Sequence, residues 1–349
     1  MSILFVGGGT LGSLNPLLAV ASSLQAKRPL LRVTFWTSRD LLEQRVVTEA
    51  GFSSQTIIAG KFRRYFSFRN LVDIFVVIVA CVVAFARLVL HRPRVVISAG
   101  SFVAVPVHIA AWLLHIPTVT YQQDVQLGLA NRIMATLATV CAATTDSRAK
   151  LFRKDTEVVG FALRSEILQG SAEAARQTYG LRSDWKTLLV IGGSSGAANL
   201  NTLVLEGLHA FPASLNVVHI VGEGKALPLS RPGYVQIPFT NRTLPDLYAV
   251  ADVVLCRAGS NVLAEIIALE KPVIIVPLPG THQEANAQEL QAAGAVVLHE
   301  RNLTGDKLAQ HIGQMFLHEG DYPAYRNSIR GLWKTDGATR LADILLRYV

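Results

Sequence analysis

Ser2-Ile3-Leu4-Phe5-Val6 runs directly into Gly7-Gly8-Gly9-Thr10-Leu11-Gly12-Ser13, and Asn15-Pro16 then opens the stretch LLAVASSLQAK. The first five residues are a strand-type apolar run. A proline in the first helical turn costs nothing, because its missing N–H would have no intrahelical partner. The reading is strand, glycine turn, helix. The same plan recurs at Thr187-Leu188-Leu189-Val190-Ile191, Gly192-Gly193-Ser194-Ser195-Gly196 and AANLNTLVLEGLHAF. Glycines allow positive φ and close backbone approach, and a helix N-terminus offers unpaired N–H groups to an anion. Two such starts predict an α/β protein of two doubly wound, Rossmann-like halves, each opening as a mononucleotide-binding unit does.

Further strand-type runs fit this plan at 32–38, 94–100, 118–124, 215–222, 252–259 and 272–280. Helical patterns follow most of them, as a largely parallel sheet requires. The halves divide near residues 160–166, giving domains 1–162 and 163–333, and the segment 334–349 reads as a helix able to rejoin the first domain. A chain of 349 residues exceeds one ordinary core. Hydrophobic content of 50% with 17% charge excludes disorder. Cys81, Cys141 and Cys256 lack metal-ligand spacing and read as buried thiols in a reducing compartment. The N-terminus has no basic region ahead of its apolar run, so a secretion signal is not expected and a cytoplasmic location is. His108, His115 and His219 lie in apolar runs and read as core residues.

The net charge of +8 is uneven: residues 1–162 hold 17 Lys and Arg against 8 Asp and Glu. A basic half suggests an anionic surface as partner. No nucleic-acid motif accompanies it, so nucleic acid is not expected. Residues 74–86, IFVVIVACVVAFA, are apolar throughout. That is short of the roughly 20 residues a span needs. The flank Lys61-Phe62-Arg63-Arg64-Tyr65-Phe66-Ser67-Phe68-Arg69 alternates basic and aromatic side chains. Such a composition suits an anionic lipid surface. Arg63, Arg64, Phe66, Phe68, Arg69 and Phe75 are the candidate docking residues, on a helix partly core and partly lipid-facing.

The most specific stretch is Asp246-Leu-Tyr-Ala-Val-Ala-Asp252-Val-Val-Leu-Cys-Arg257-Ala-Gly259-Ser260-Asn261-Val-Leu-Ala-Glu265, continuing to Lys271-Pro272-Val-Ile-Ile-Val-Pro277. It reads as helix, buried strand, glycine turn, helix, strand. Arg257 and Gly259 stand at a strand's carboxyl end, where α/β sheets bind ligands. Glu265, about one and a half turns into the next helix, can accept bonds from two ribose hydroxyls. This stretch resembles the donor-sugar signature of family 28 glycosyltransferases of the GT-B fold, two doubly wound domains facing a central cleft. The resemblance extends along the chain through Gly8 to Ser13, Gly100-Ser101, Tyr121-Gln122-Gln123-Asp124 with Asn131, Gly160 to Arg164, Gly192 to Ala197, and His282-Gln283-Glu284-Ala285-Asn286.

The resemblance implies transfer of N-acetylglucosamine from a UDP-sugar donor to undecaprenyl-diphosphoryl-muramoyl-pentapeptide, a polyprenyl-diphosphate-linked acceptor of peptidoglycan synthesis. The site would be peripheral, at the cytoplasmic face of the plasma membrane. The implied donor residues are Arg164, Gly192, Gly193, Ser194, Ser195, Gly196, Arg257, Gly259, Ser260, Glu265, Gln283, Glu284 and Asn286. On the acceptor side they are Gly9, Thr10, Gly12, Ser101, Gln122, Gln123 and Asn131. Neither a metal nor a cofactor is implied, and no Asp-x-Asp cluster occurs. Three departures stand out. Ser13 replaces a histidine, Tyr121-Gln122-Gln123-Asp124 replaces His-Glu-Gln-Asn, and Phe161-Ala162 replaces Asn-Pro. Serine is a poor base and glutamine none. Asp124 and Ser13 are left as the catalytic candidates, and capping of the next helix is the alternative role for Asp124. A different lipid acceptor, a non-catalytic UDP-sugar-binding protein and a sugar-nucleotide epimerase are the rival readings.

Overall fold

A computed structural model describes residues 1–58, 69–193, 196–226, 229 and 231–349, and residues 69–75 through their backbone alone. The chain divides into two units, Met1–Arg164 with Lys334–Val349, and Ser165–Trp333. The first unit holds strands β1 (Ser2–Val6), β2 (Arg32–Thr37), β3 (Ser53–Thr56), β4 (Val95–Ser98), β5 (Thr118–Gln122), β6 (Val140–Ala143) and β7 (Thr156–Val158). They form one sheet in the order β3-β2-β1-β4-β5-β6-β7, every pair parallel. The second unit holds β8 (Lys186–Ile191), β9 (Leu215–Ile220), β10 (Tyr234–Ile237), β11 (Val253–Cys256), β12 (Val273–Ile275) and β13 (Val296–Val297). Their order is β10-β9-β8-β11-β12-β13, again all parallel.

Parallel strands covered on both faces read as continuous apolar runs. β4, β11 and β12 are accordingly buried at every residue. The strand order reverses between β1 and β4 in one sheet and between β8 and β11 in the other. Ligands bind outside the carboxyl ends of strands at such reversals. The loops singled out in the sequence leave β1, β4, β5, β8 and β11 at those ends.

The 334–349 segment belongs to the first unit. Phe161 N–H donates to the Lys334 carbonyl (2.7 Å), Gly337 N–H to the Phe161 carbonyl (3.0 Å), and Ala162 bridges Asp336. The helix Gly337–Leu346 then packs on the helix Leu11–Lys27, where Lys27 ion-pairs with Asp343. Gly337 is required at the crossing, since a Cβ there would overlap the Gly160 carbonyl.

The helix Arg69–His91 buries Ala80, Ala84 and Leu88, one residue per turn, and packs on the helix Val105–Leu113. Its other stripe, Ile78, Val82, Phe85 and Val89, is exposed at 56, 64, 39 and 51%. Among the described residues no helix is long and apolar enough to cross a membrane. His108 and His219 lie in the core, but His115 does not. It follows the helix Val105–Leu113 in the left-handed region, at φ 55°, and faces solvent. The apolar run around it ends in a helix stop, which periodicity alone misplaced.

Gly337→Ala should destabilise the first unit by about 1–3 kcal/mol, because its methyl group must displace packed backbone. Urea unfolding with an unchanged midpoint would contradict this close crossing.

Candidate functional site

In the first unit the loop after β1 is exposed at Gly9, Thr10 and Gly12. Thr10 sits at the N-cap of the helix Leu11–Lys27 without a side-chain cap bond, and no acidic residue occupies the first turn. A helix start with no side-chain cap and no acid in its first turn favours an anion. Gly9 has φ +81° and a Cβ on it would overlap the Phe102 ring, so the loop lies flat against its neighbour.

Buried side chains hold this loop. Ser13 Oγ accepts from Gly8 N–H (3.1 Å) and donates to the carbonyl of Gly8 or Thr10. Ser13, a catalytic candidate, has its oxygen and its proton both engaged inside the turn, where it braces the loop. Ser101 Oγ donates to the Gly8 carbonyl (2.7 Å), and Gln123 Nε2 to the Gly12 carbonyl (3.4 Å). Gln122 Nε2 donates to the carbonyls of Asp124 (2.7 Å) and Gln126 (3.0 Å). Asn131 Nδ2 donates to Gln122 Oε1 (2.6 Å) and the Tyr121 carbonyl (3.1 Å). Gln122 and Asn131, expected to touch the acceptor, are buried and shape the loop. Asp124 is partly exposed, two residues past β5. The helix that follows, Leu129–Leu137, has Gly128 as its N-cap, so the capping role for Asp124 is overturned.

The altered residues support one another. Tyr121 Oη donates to the Gly160 carbonyl (2.8 Å) and accepts from Ala162 N–H (3.1 Å), and burial pushes its phenol well above the usual range. Buried Arg148 donates through Nε to the Gln123 carbonyl (2.6 Å) and lies 5.5 Å from the Phe161 ring centroid. An aromatic face can hold a guanidinium there. Glu43 is a further residue that sequence reading missed. It is buried behind Gly8, accepts from Ser38 N–H (3.1 Å) and Ser38 Oγ (2.7 Å), and its pKa is raised by burial.

In the second unit β8 ends at Ile191, and Gly192 and Gly193 open the turn, the latter at φ +96°. Ser194 and Ser195 lie outside the described residues, as do Arg63, Arg64, Phe66 and Phe68 and the side chains of Arg69 and Phe75. Gly196, at φ +65°, packs so closely on the Val221 carbonyl that a Cβ would overlap it. The helix Ala198–Gly207 then starts with no side-chain cap and no first-turn acid. The helix Ser260–Ala268 starts in the same way behind Gly259. By contrast, Thr281 caps the helix His282–Ala292 with its own hydroxyl.

Arg257 leaves β11 buried, its Nη1 donating to the Val276 (3.0 Å) and Pro277 carbonyls (3.4 Å) and ion-paired with Glu300. Glu265 is 4% exposed and accepts from Tyr248 Oη (2.8 Å). Asn286, expected to bind donor, is fully buried. It donates to the Ala258 carbonyl and Ser260 Oγ, both at 3.1 Å, and so braces the turn from behind. Gln283 Oε1 and Glu284 Oε2 accept from Leu278 and Gly280 N–H, shaping the loop that follows β12. Arg164 closes the first unit, partly exposed. Tyr248 and Glu300 escaped sequence reading, because their partners lie 17 and 43 residues away. Among the described residues no His, Cys, Asp and Glu are grouped to hold a metal.

Two parallel sheets, each with a glycine turn and an uncapped helix at its order reversal, define an α/β protein of the GT-B class. Glycosyltransferase family 28 N-terminal domain sequences match residues 3–143, and C-terminal domain sequences match residues 187–341. The chain belongs to glycosyltransferase family 28. It is 33% identical over 347 residues to the UDP-N-acetylglucosamine–N-acetylmuramyl-(pentapeptide) pyrophosphoryl-undecaprenol N-acetylglucosamine transferase of Legionella pneumophila, covering 97% of this chain and 94% of that one. It is 32% identical over 322 residues to an identically named transferase 2 of Bacillus cereus, covering 90% and 91%. Among solved structures, Acinetobacter baumannii MurG superposes with TM-score 0.70 at 22% identity over 99% of both chains. A UDP-GlcNAc 2-epimerase of Neisseria meningitidis bound to UDP-GlcNAc superposes with TM-score 0.68 at 16% identity over 100% of both. Both structural likenesses are of fold alone.

The Gly196 turn rests on a buried histidine. Asn201 Nδ2 donates to the Val221 carbonyl (2.7 Å), His219 Nε2 donates to Asn201 Oδ1 (3.1 Å), and Tyr234 Oη donates to His219 Nδ1 (3.0 Å). Burial lowers the His219 pKa to about 4. An unfolded histidine takes its proton near about 6.5. The unfolded state therefore binds more protons between these values, and stability falls as pH drops from 6.5 toward 4. Acid unfolding of the second unit should show this loss, and His219→Gln should flatten it. An identical pH profile in the variant would contradict a neutral buried His219.

Proposed function

We propose that the protein transfers N-acetylglucosamine from UDP-N-acetylglucosamine to undecaprenyl-diphosphoryl-N-acetylmuramoyl-pentapeptide, with inversion and without a metal. The observation that carries this reading is likeness to transferases of that name along 97% of the chain. The donor-side geometry supports it. Charge developing on the leaving diphosphate can be met by backbone N–H groups of the 192–197 turn and by two uncapped helix N-termini, of which Ser260–Ala268 is one. Glu265 supplies a buried carboxylate for the ribose hydroxyls, oriented by Tyr248. The acceptor's own diphosphate finds the same kind of partner in the Gly9–Gly12 loop.

The reaction is a single displacement. The acceptor hydroxyl oxygen forms a bond to the anomeric carbon as the bond from that carbon to the diphosphate oxygen breaks. UDP leaves with the electron pair, and the hydroxyl proton passes to a base. Asp124 is the base this reading assigns, because it stands at the carboxyl edge of β5 and is not a helix cap. The engaged amides of Gln122 and Asn131 favour one rival, a UDP-sugar-binding protein without turnover.

Labelled UDP-N-acetylglucosamine with a polyprenyl-diphosphoryl-muramoyl-peptide acceptor tests the proposal. Wild type should transfer label, and Asp124→Asn should lose about a hundredfold or more in turnover with donor affinity unchanged. Donor binding without transfer in wild type would favour the rival, and full turnover in Asp124→Asn would remove Asp124 from the mechanism.

Membrane docking belongs to the same reading. The outward stripe of Ile78, Val82, Phe85 and Val89 has the form of an interfacial face. The net positive charge of residues 1–162 would draw it to anionic lipid. Binding to anionic vesicles should fade with salt and fail in Val82→Asp with Phe85→Ser. Undiminished binding in that variant would place docking elsewhere.

A further inference from the structure

The donor unit contains one carboxylate that the transfer reaction does not use and that joins two parts of the donor site. Glu300 opens a short turn after β13, and its side chain is 12% exposed. Its Oε1 accepts from Asn199 Nδ2 (2.7 Å), in the first turn of the helix Ala198–Gly207. Its Oε2 ion-pairs with Arg257 Nη1, which also donates to the Val276 and Pro277 carbonyls. One carboxylate thus ties the helix that follows the glycine turn to the turn that follows β11. These are the two elements whose backbone N–H groups face a diphosphate in the proposed function.

We infer that Glu300 is a positioning residue for the donor diphosphate, fixing Arg257 and the start of the 198–207 helix in one register. The inference rests on the donor-site reading above. Arginine recognises phosphate through a planar fork, so its orientation decides how many bonds it makes. Glu300 supplies the anchoring charge on the Nη1 end. With Glu300 removed, the buried Arg257 charge loses its partner, and the incoming diphosphate must organise both elements itself. The cost then appears in donor affinity. Acceptor recognition, which the proposed function places in the first unit, is untouched.

The test uses the full chain, with UDP-N-acetylglucosamine binding followed by calorimetry and transfer kinetics run alongside. Glu300→Ala should weaken donor binding about tenfold or more and lower the melting temperature, because a buried charge is left unpaired, with the acceptor KM close to wild type. Glu300→Gln keeps an acceptor for Asn199 but loses the charge, and should fall between. Glu300→Ala placed on Arg257→Ala should add no further loss, since a residue acting through Arg257 has nothing left to position. Unchanged donor affinity in both Glu300 variants, or losses that multiply in the double variant, would overturn the inference. Should Glu300→Ala fail to fold, Glu300→Gln carries the same comparison. A wild-type protein that binds no UDP-sugar would overturn the donor reading and this inference together. Donor binding without transfer leaves the inference standing while sinking the transferase.

Discussion

A side chain at Gly196 would overlap the carbonyl of Val221, and one at Gly9 would overlap the ring of Phe102. At both places the chain leaves a strand's carboxyl end and must reach a helix start within a few residues. Only a backbone without Cβ atoms passes. The consequence is chemical as well as steric. The helix starts that follow carry no side-chain cap and no acid in the first turn, so the positive end of each helix dipole faces the loop. The parallel topology then multiplies the effect. Every strand ends on the same edge, and the order reversals beside β1 and β8 leave room there. In the proposed function, phosphate recognition is mostly a property of backbone placement.

The buried polar side chains around those turns serve the backbone first. Ser13, Ser101, Gln122 and Asn131 in one unit, and Asn201 and Asn286 in the other, spend their amides and hydroxyls on carbonyls and N–H groups of the loops. Each unmade bond of this kind costs about 1–3 kcal/mol when the group is buried. The glycine loops keep their shape because that cost opposes their relaxation. The same accounting explains the unusual residues on the acceptor side. Tyr121 satisfies both the Gly160 carbonyl and the Ala162 N–H, and Arg148 lies against the Phe161 ring while donating to the Gln123 carbonyl. Tyr121, Phe161 and Ala162, read in the sequence as departures, thus form one connected patch, with Arg148 joining it to the Gln123 carbonyl.

Much of this was legible in the amino-acid sequence where the signal is local. The two strand–glycine–helix starts appear as β1 with the Leu11–Lys27 helix and β8 with the Ala198–Gly207 helix, but the first helix begins at Leu11 rather than at Asn15-Pro16, so Pro16 lies inside it. Strand runs taken as 94–100 and 272–280 end earlier, at Ser98 and Ile275, because the loops at the carboxyl edge are also apolar. β3, with the polar sequence SSQT at a sheet edge, gave no apolar signal at all. Site residues divide in the same way. Glu265 and Arg257 sit inside a contiguous motif, whereas Tyr248, Glu300, Glu43 and Arg148 act through contacts that only folding creates. The helix cap imagined for Asp124 failed because the helix begins five residues later, at Leu129.

The central claim is that backbone N–H groups at the β8 and β11 turns bind the donor diphosphate while Glu265 holds its ribose. A crystal structure of the protein with UDP-N-acetylglucosamine tests it most directly. The account predicts phosphate oxygens on the N–H groups of the 192–197 turn and of the Ser260–Ala268 helix start, with both ribose hydroxyls on the Glu265 carboxylate. A donor bound with its diphosphate away from these turns, or with its ribose out of reach of Glu265, would contradict it.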